Sequence, residues 1–320
     1  MPAGTYCRKS EYARAKTNRL MEIDYPPILE TLGHGCPVSF DRVGGGCIAN
    51  AGVAEFADGS KVFLKSLEGV PGMFECEAGG LRALAAAGAI RVPEVLAVDR
   101  NTLVLEYIQA APGSRIFFES FGRSFARLHD CRGPCAGFPQ DNFIGSTPQV
   151  NSPIGGSWEV VARDQPDSGN GSDWAEFFLE RRLRFQVGLA VKRRHGHELA
   201  QLLEGAETRI LDLLASAPEP PSLLHGDLWS GNFIVDEKGE ACLIDPAVYY
   251  GHREADLAMT RLFGGFDECF YEAYNEVLPV APGHVERLGI YQLYHLLNHL
   301  NLFGSAYFSQ CLQILRRYSG

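Results

Sequence analysis

The chain has no run of about 18 apolar residues that could cross a bilayer, and no charged-then-apolar leader opens it. Neither a membrane span nor a secretory signal is expected, and a cytoplasmic setting follows. It also lacks any block of five or six lysines or arginines, and its formal net charge is -10. Nucleic acid and anionic membranes are therefore disfavoured as partners, whereas a small cationic substrate suits the charge. Its nine cysteines, at 7, 36, 47, 76, 131, 135, 242, 269 and 311, are odd in number and lack metal-finger spacing. That pattern speaks for ordinary thiols over a disulfide framework or a zinc site. Cys131 and Cys135, near His129, come nearest to a metal cluster but want a fourth ligand. No internal repeat is visible. With 320 residues, 46% of them hydrophobic, the chain can bury a full core in one two-lobed domain or two domains.

What the chain does have is Leu223-Leu224-His225-Gly226-Asp227-Leu228-Trp229-Ser230-Gly231-Asn232, followed by Asp245 in Cys242-Leu243-Ile244-Asp245-Pro246. Phe233-Ile234-Val235 and Ala241-Cys242-Leu243-Ile244 are apolar runs around the polar stretch from Asp236 to Glu240, the pattern of a hairpin. A turn centred on Lys238-Gly239 sets Asn232 opposite Asp245. Directly opposed residues have Cβ atoms about 5 Å apart, so an amide oxygen and a carboxylate there could share one hard cation, magnesium being the natural choice. Asp227 falls on a loop that leaves the strand Leu223-Leu224 and bends at Gly226 and Gly231. From there it can orient an acceptor hydroxyl and take its proton late, while Asn232 and Asp245 hold metal on phosphates. The plain alternative is that Asp227 and Asn232 make backbone turns, as Asp and Asn commonly do.

Toward the N-terminus, residues 1–26 are basic at Arg8, Lys9, Arg14, Lys16 and Arg19, lack hydrophobic periodicity and end at Pro26-Pro27, which suggests a flexible arm. Val38 to Val43 and Cys47 to Phe56 read as strands on either side of Gly44-Gly45-Gly46. A glycine triplet there lets backbone amides approach phosphates, although an ordinary hairpin turn would look the same. Asp58-Gly59 then turns the chain into Lys61-Val62-Phe63-Leu64-Lys65, an apolar strand closed by a charge. In the helix beginning near Met73, Glu77, Leu81 and Leu84 share a face, and a lone carboxylate on that core-facing side is costly. Pairing Lys65 with Glu77 gives both charges a reason and would hold the lysine against the α- and β-phosphates of ATP. Two separate surface charges are the alternative. The strand Thr102 to Ile108 runs into Gln109-Ala110-Ala111-Pro112-Gly113, a linker composition. Backbone groups of Leu105, Glu106, Tyr107 and Ile108 could read an adenine edge there. The chain thus divides into an arm (1–26), a nucleotide-binding lobe (27–108) and a helical lobe (109–320).

In the second lobe, Phe117 to Cys131 reads as a helix with Phe118, Phe121, Phe125 and Leu128 as its core face. Asn142 to Thr147 and residues 148–172 are rich in Gly, Ser, Pro and Asn and read as loop. Asp173 then caps a helix carrying Trp174, Phe177 and Phe178, in which Trp174 is either core or a substrate contact. Asp256 sits near a helix start, where it suits holding backbone amides. The remaining chain is helical.

These segments resemble the fructosamine kinase (ketosamine kinase) family, a branch of the protein-kinase-like fold that includes aminoglycoside and choline kinases. The likeness is carried by Gly44-Gly45-Gly46-Cys47-Ile48, by Leu223 to Asn232, and by Asp245-Pro246-Ala247 through Tyr250-Gly251-His252-Arg253-Glu254-Ala255-Asp256-Leu257-Ala258 with Leu262 to Phe266. Asn142 to Ser146, Trp174 to Arg182 and Tyr291 to Asn298 extend it, so that it covers about residues 30–315.

The resemblance implies an α+β, two-lobed protein-kinase-like fold: a small antiparallel β-sheet lobe with one main helix, then a larger, mostly helical lobe. It implies ATP and Mg2+ as cofactors, and phosphorylation of the 3-hydroxyl of a ketosamine, the Amadori product of a sugar with an amine or a protein lysine. The phosphorylated adduct then breaks down and frees the amine. Asp227 would be the base, Asn232 and Asp245 the metal holders, and Lys65 and Glu77 the phosphate clamp. Leu105 to Tyr107 would lie at the nucleotide hinge. Trp229 could face the sugar, with His225 and Trp174 as further substrate candidates. Cys47 could make nucleotide binding sensitive to oxidation. A kinase acting on an aminoglycoside, choline or another hydroxylated amine, and a nucleotide-binding pseudokinase, are the alternatives.

Overall fold

The computed structural model describes residues 25–43, 49–164, 171–193 and 196–319. Its N-terminal third is a five-stranded antiparallel sheet in the order β1-β2-β3-β5-β4. The strands are β1 (Ser39–Val43), β2 (Asn50–Glu55), β3 (Lys61–Ser66), β4 (Val95–Val98) and β5 (Thr102–Glu106). Helix α1 (Met73–Ala87) lies on one face. Strand side chains alternate between faces. Val62 and Leu64 of β3 accordingly pack with Ala54, Phe56 and Val104 on one side, while Phe63 joins Phe74, Ala78 and Leu81 of α1 on the other. Lys65 shares the parity of Phe63, so the charge that closes this strand is aimed at α1.

Beyond β5 the chain is mostly helical: α2 (Phe117–His129), α3 (Trp158–Asp164), α4 (Gly171–Phe177), α5 (Phe185–Lys192), α6 (His197–Ala215), α7 (Glu254–Leu262), α8 (Glu268–Val277), α9 (His284–Phe303) and α10 (Phe308–Tyr318). Phe178–Arg184 forms a wide π-helical stretch joining α4 to α5. Three short antiparallel ladders sit among the helices. They pair β6 (Asn142–Ile144) with β7 (Thr147–Gln149), β8 (Ser222–Leu224) with β11 (Tyr249–Gly251), and β9 (Phe233–Val235) with β10 (Ala241–Leu243). One apolar cluster joins α2 and α8 through Phe121, Phe125, Phe270 and Tyr274, and reaches under β8 and β10. A larger one is built from α4, α6, α9 and α10. The two clusters clamp the β8–β11 region between them, which fixes the loops that leave those strands. Among the described residues no helix is long and apolar enough to cross a membrane.

Two expectations need correction. Residues 142–164 are not simply loop: they hold the β6–β7 ladder and α3, while residues 165–170 of the expected loop lie outside the described residues and α4 begins at Gly171. Asn142, Gln149 and Asn151 of this segment are buried, with Asn142 Nδ2 donating to Val248 O at 2.8 Å and Gln149 Nε2 to Asn142 Oδ1 at 2.7 Å. Buried amides that hydrogen-bond inward look, in composition, like solvated loop. Asp173 lies within the first turn of α4 and not ahead of it, because the helix starts at Gly171.

Candidate active site

β8 ends at Leu224 and delivers the loop that carries His225, Gly226 and Asp227. Gly226 has φ +83°, and a Cβ there would stand 2.0 Å from Ala247 O, so both the bend and the close approach require glycine. His225 is fully buried, and its Nε2–H donates to Ile244 O at 2.9 Å. That fixes the tautomer, leaving Nδ1 to accept from the Asp227 amide at 3.2 Å. Burial also pushes the His225 pKa down, in keeping with a neutral ring. His225 therefore holds the loop and offers no edge to a substrate, contrary to expectation. From below, Asp256 of α7 accepts from the His225 and Gly226 amides at 2.7 and 2.9 Å. The amides it holds belong to this distant loop, where a helix-start role would have pointed to its own helix.

Asn232 Nδ2 donates to Asp227 O at 2.8 Å and stands 3.4 Å from Asp227 Oδ2. The β9–β10 hairpin pairs Phe233 with Leu243, and Ile244 N donates to Asn232 O at 3.0 Å. Asn232 thus faces Ile244, one residue short of the expected Asp245. The turn is shorter by one step because Asp236 accepts from the amides of Lys238 and Glu240 and tightens it. Asp245 follows in a left-handed conformation, φ 56°, the one described non-glycine residue so placed. In that conformation it leaves the strand direction and meets Lys65 Nζ at 2.5 Å. Lys65 also holds Glu77 at 2.7 Å, and the lysine and glutamate side chains are 11% and 10% exposed. Burial works against the charge on Lys65, but Glu77 and Asp245 outweigh it and hold the ammonium above its ordinary range.

The ends of β1 and β2 align with that lysine, since Val43 pairs with Ala51 and Ala51 with Lys65. Gly44, Gly45, Gly46 and Cys47 connect those strands and lie outside the described residues, as does most of the arm 1–26. At the end of β5, Leu105 and Ile108 are buried, and the Glu106 carboxylate is taken by Arg91 at 2.6 Å. Arg91 reaches on to Asp236 at 2.7 Å and Glu237 at 2.8 Å in the hairpin turn. It ties the sheet to the β9–β10 hairpin across the Leu105–Ile108 segment. Nothing local to Arg91 in the sequence signals this, because its partners are 15 and about 145 residues away.

Trp229 is 36% exposed, with the Phe263 ring edge-on at 6.3 Å between centroids. Gly231 is bare for a steric reason, as a Cβ there would come within 2.4 Å of the indole. Trp174 is 5% exposed; it packs among Phe177, Phe178 and Tyr291, and its indole N–H donates to Tyr291 Oη at 3.1 Å. It is a core residue, and the expected substrate contact is withdrawn. Its helix face turns toward α9.

Two carboxylates, an amide, a clamped lysine and a rigid loop therefore converge from β3, α1, the 225–232 loop and the segment after β10. The fructosamine kinase sequence model matches residues 28–319. The chain belongs to the fructosamine kinase family. It is 38% identical over 291 residues to the chloroplastic protein-ribulosamine 3-kinase of Arabidopsis thaliana, covering 86% of this chain and 81% of that protein. A structure from Thermobifida fusca, described as that of a candidate fructosamine-3-kinase, superposes with a TM-score of 0.75 at 33% identity, covering 87% of this chain and 92% of the other. At the level of fold alone, an aminoglycoside phosphotransferase in complex with ADP and hygromycin B aligns with a TM-score of 0.56 at 16% identity, over 92% of this chain and 98% of that one. The fold of this family member is accordingly that of the protein-kinase-like phosphotransferases.

Proposed function

We propose that this protein is a magnesium-ATP-dependent kinase that phosphorylates the 3-hydroxyl of a ketosamine, free or on a protein lysine. The observation that carries the reading is the convergence of Lys65, Glu77, Asp227, Asn232 and Asp245 in a member of this family. A module that only bound nucleotide would not need a base beside the metal-holding pair. In this reading Glu77 holds Lys65 for the α- and β-phosphates; Gly44, Gly45 and Gly46, the glycines expected to approach those phosphates, lie outside the described residues. The backbone at Leu105, Glu106, Tyr107 and Ile108 takes the adenine, so residues 27–108 form the nucleotide lobe and 109–320 the acceptor lobe.

The donor set suits magnesium. Asn232 spends its Nδ2 on Asp227 O, which leaves its Oδ1 free to pair with the 44%-exposed Asp245 carboxylate as hard oxygen ligands. A magnesium ion held there by Asn232 and Asp245 would supply neutralisation of charge on the transferring phosphate. Asp227, fixed through its own amide and carbonyl, orients the acceptor hydroxyl and accepts its proton late. Arg91 keeps sheet and hairpin in register during transfer. The ketosamine assignment draws support from the relatives' names and from the net charge of -10, which suits an amine-bearing acceptor. The seven described cysteines are all free, which suits a reducing compartment such as the cytoplasm.

The test is ADP release from magnesium-ATP with ribuloselysine, fructoselysine, choline and an aminoglycoside as acceptors. Turnover on a ketosamine supports the reading and ranks the sugars; turnover on choline or the aminoglycoside alone overturns it. Trp229 is the exposed aromatic nearest the base in sequence, suited to stack on the acceptor or to face its cationic amine. Trp229→Ala should raise KM for the acceptor by about 2- to 30-fold and leave KM for ATP unchanged. Equal KM values for the acceptor in both proteins would remove Trp229 from the acceptor site.

A further inference from the structure

Helix α9 passes beneath the loop that carries Asp227. His295 of that helix is 3% exposed, and its Nδ1 is a buried nitrogen with no hydrogen-bond partner. Buried polar groups are normally paired, so an orphan beside a catalytic carboxylate calls for a reason. Nδ1 lies 3.8 Å from Asp227 Oδ1, too far for a hydrogen bond. Among the described residues nothing donates to that oxygen, while the Asn232 amide approaches the other one at 3.4 Å. An unpaired buried nitrogen thus faces a partly exposed carboxylate oxygen across a gap that a small carboxylate rotation closes.

We infer that His295 is a positioning residue for Asp227, its Nδ1–H closing onto Oδ1 when nucleotide and acceptor are bound and so leaving Oδ2 for the acceptor hydroxyl. The inference rests on the kinase reading of this site. The ring is set up to donate. Burial, with His299 and Arg182 adding to it against the opposing pull of Asp256, brings the His295 pKa down to about 3. The imidazole is therefore neutral at physiological pH and carries one proton, which a neighbouring carboxylate draws to Nδ1. Its backbone is held as well, because the His299 Nδ1–H donates to His295 O at 2.8 Å. No proton leaves His295 in the reaction; the acceptor's proton goes to Asp227. The arrangement follows the general logic by which a base is itself oriented by a third group.

The experiment compares wild type, His295→Leu and His295→Asn. Leucine fills the space without a donor, whereas the Asn Nδ2 reaches about where Nδ1 stands. With ribuloselysine and magnesium-ATP, H295L should lower kcat by about 10- to 100-fold with both KM values within about threefold of wild type. H295N should recover most of that loss. The inference is overturned if H295L keeps wild-type kcat, or if H295N is as slow as H295L although both melt like wild type. Failure of the ketosamine reading looks different, since wild type itself would then turn over no ketosamine. In that case slow hydrolysis of magnesium-ATP, with water as acceptor, gives the readout: H295L should depress it without changing the ATP dissociation constant, and an unchanged rate overturns the inference.

Discussion

Asp227→Asn is expected to lower kcat by about 10²- to 10⁴-fold while leaving the dissociation constant for ATP unchanged within about threefold. The amide has the shape of the carboxylate, and the contacts that place the residue run through its backbone: its N–H to His225 Nδ1 and its carbonyl to Asn232 Nδ2. Only the ability to take the acceptor's proton is lost. The same substitution should stabilise the fold. Burial, then the nearby charges of Asp245 and Asp256, raise the Asp227 pKa well above the carboxylate range. A carboxyl whose folded pKa is raised opposes folding once ionised. The penalty is absent below about pH 4, grows as pH rises above the unfolded pKa, and levels off past the folded one. Asparagine carries no such penalty, so Asp227→Asn should melt above wild type at pH 7 and level with it in acid. For the wild type, kcat should rise with pH through that elevated pKa. Calorimetry at both pH values beside ADP-release assays checks all three; wild-type turnover by the variant would show that Asp227 is not the base.

Loss of activity with gain of stability is the mark of a site at which the fold tolerates strain for function. The same tension is visible at Asp245, whose left-handed backbone brings its carboxylate to Lys65. It also explains which parts of the site were legible in the sequence. Lys65 and Glu77 could be matched because strand period and helix period each assign a face, and the two faces meet across one sheet–helix contact. The β9–β10 hairpin was legible from its apolar runs, but its register was not. One residue of slip was decided by Asp236 accepting two turn amides, a local preference that competes with the symmetric turn. Trp174 and His225 were misplaced for a common reason: aromatic and imidazole groups serve core and site equally well, and only packing tells which. Arg91, Asp256 and His295 have their decisive partners at long range, so no spacing within the motif could reveal them. The β6–β7 ladder was hidden by composition, because buried Asn and Gln that bond to backbone resemble exposed ones.

Of those long-range groups, Asp256 carries the larger structural weight. Asp256→Ala should cost about 3 to 5 kcal/mol of stability, since it leaves several buried donors unpaired at once. Those donors are the amides of His225 and Gly226 and the Nε2–H of His129, which lies 3.3 Å from Asp256 Oδ2. His129 cannot turn elsewhere, because its Nδ1 accepts from Tyr274 Oη at 2.8 Å. Asp256→Asn should fall between, keeping one acceptor oxygen but turning an NH2 toward a donor. The pH dependence has the opposite sign to that of Asp227. Although burial pushes the Asp256 pKa up, the hydrogen bonds it accepts, from His129 first and then from the Gly226 amide, bring it below the ordinary range. Its contribution is therefore fully present above the unfolded carboxylate pKa and is lost as pH falls through the folded one. Denaturant midpoints of wild type and Asp256→Ala should differ widely at pH 7 and converge in acid. Asp227 stands directly after the two held amides, so variant protein that remains folded should bind ATP through Lys65 and Glu77 yet transfer phosphate slowly. An unchanged midpoint together with unchanged kcat would mean that the loop is held by the His225 bond to Ile244 O, with Asp256 dispensable.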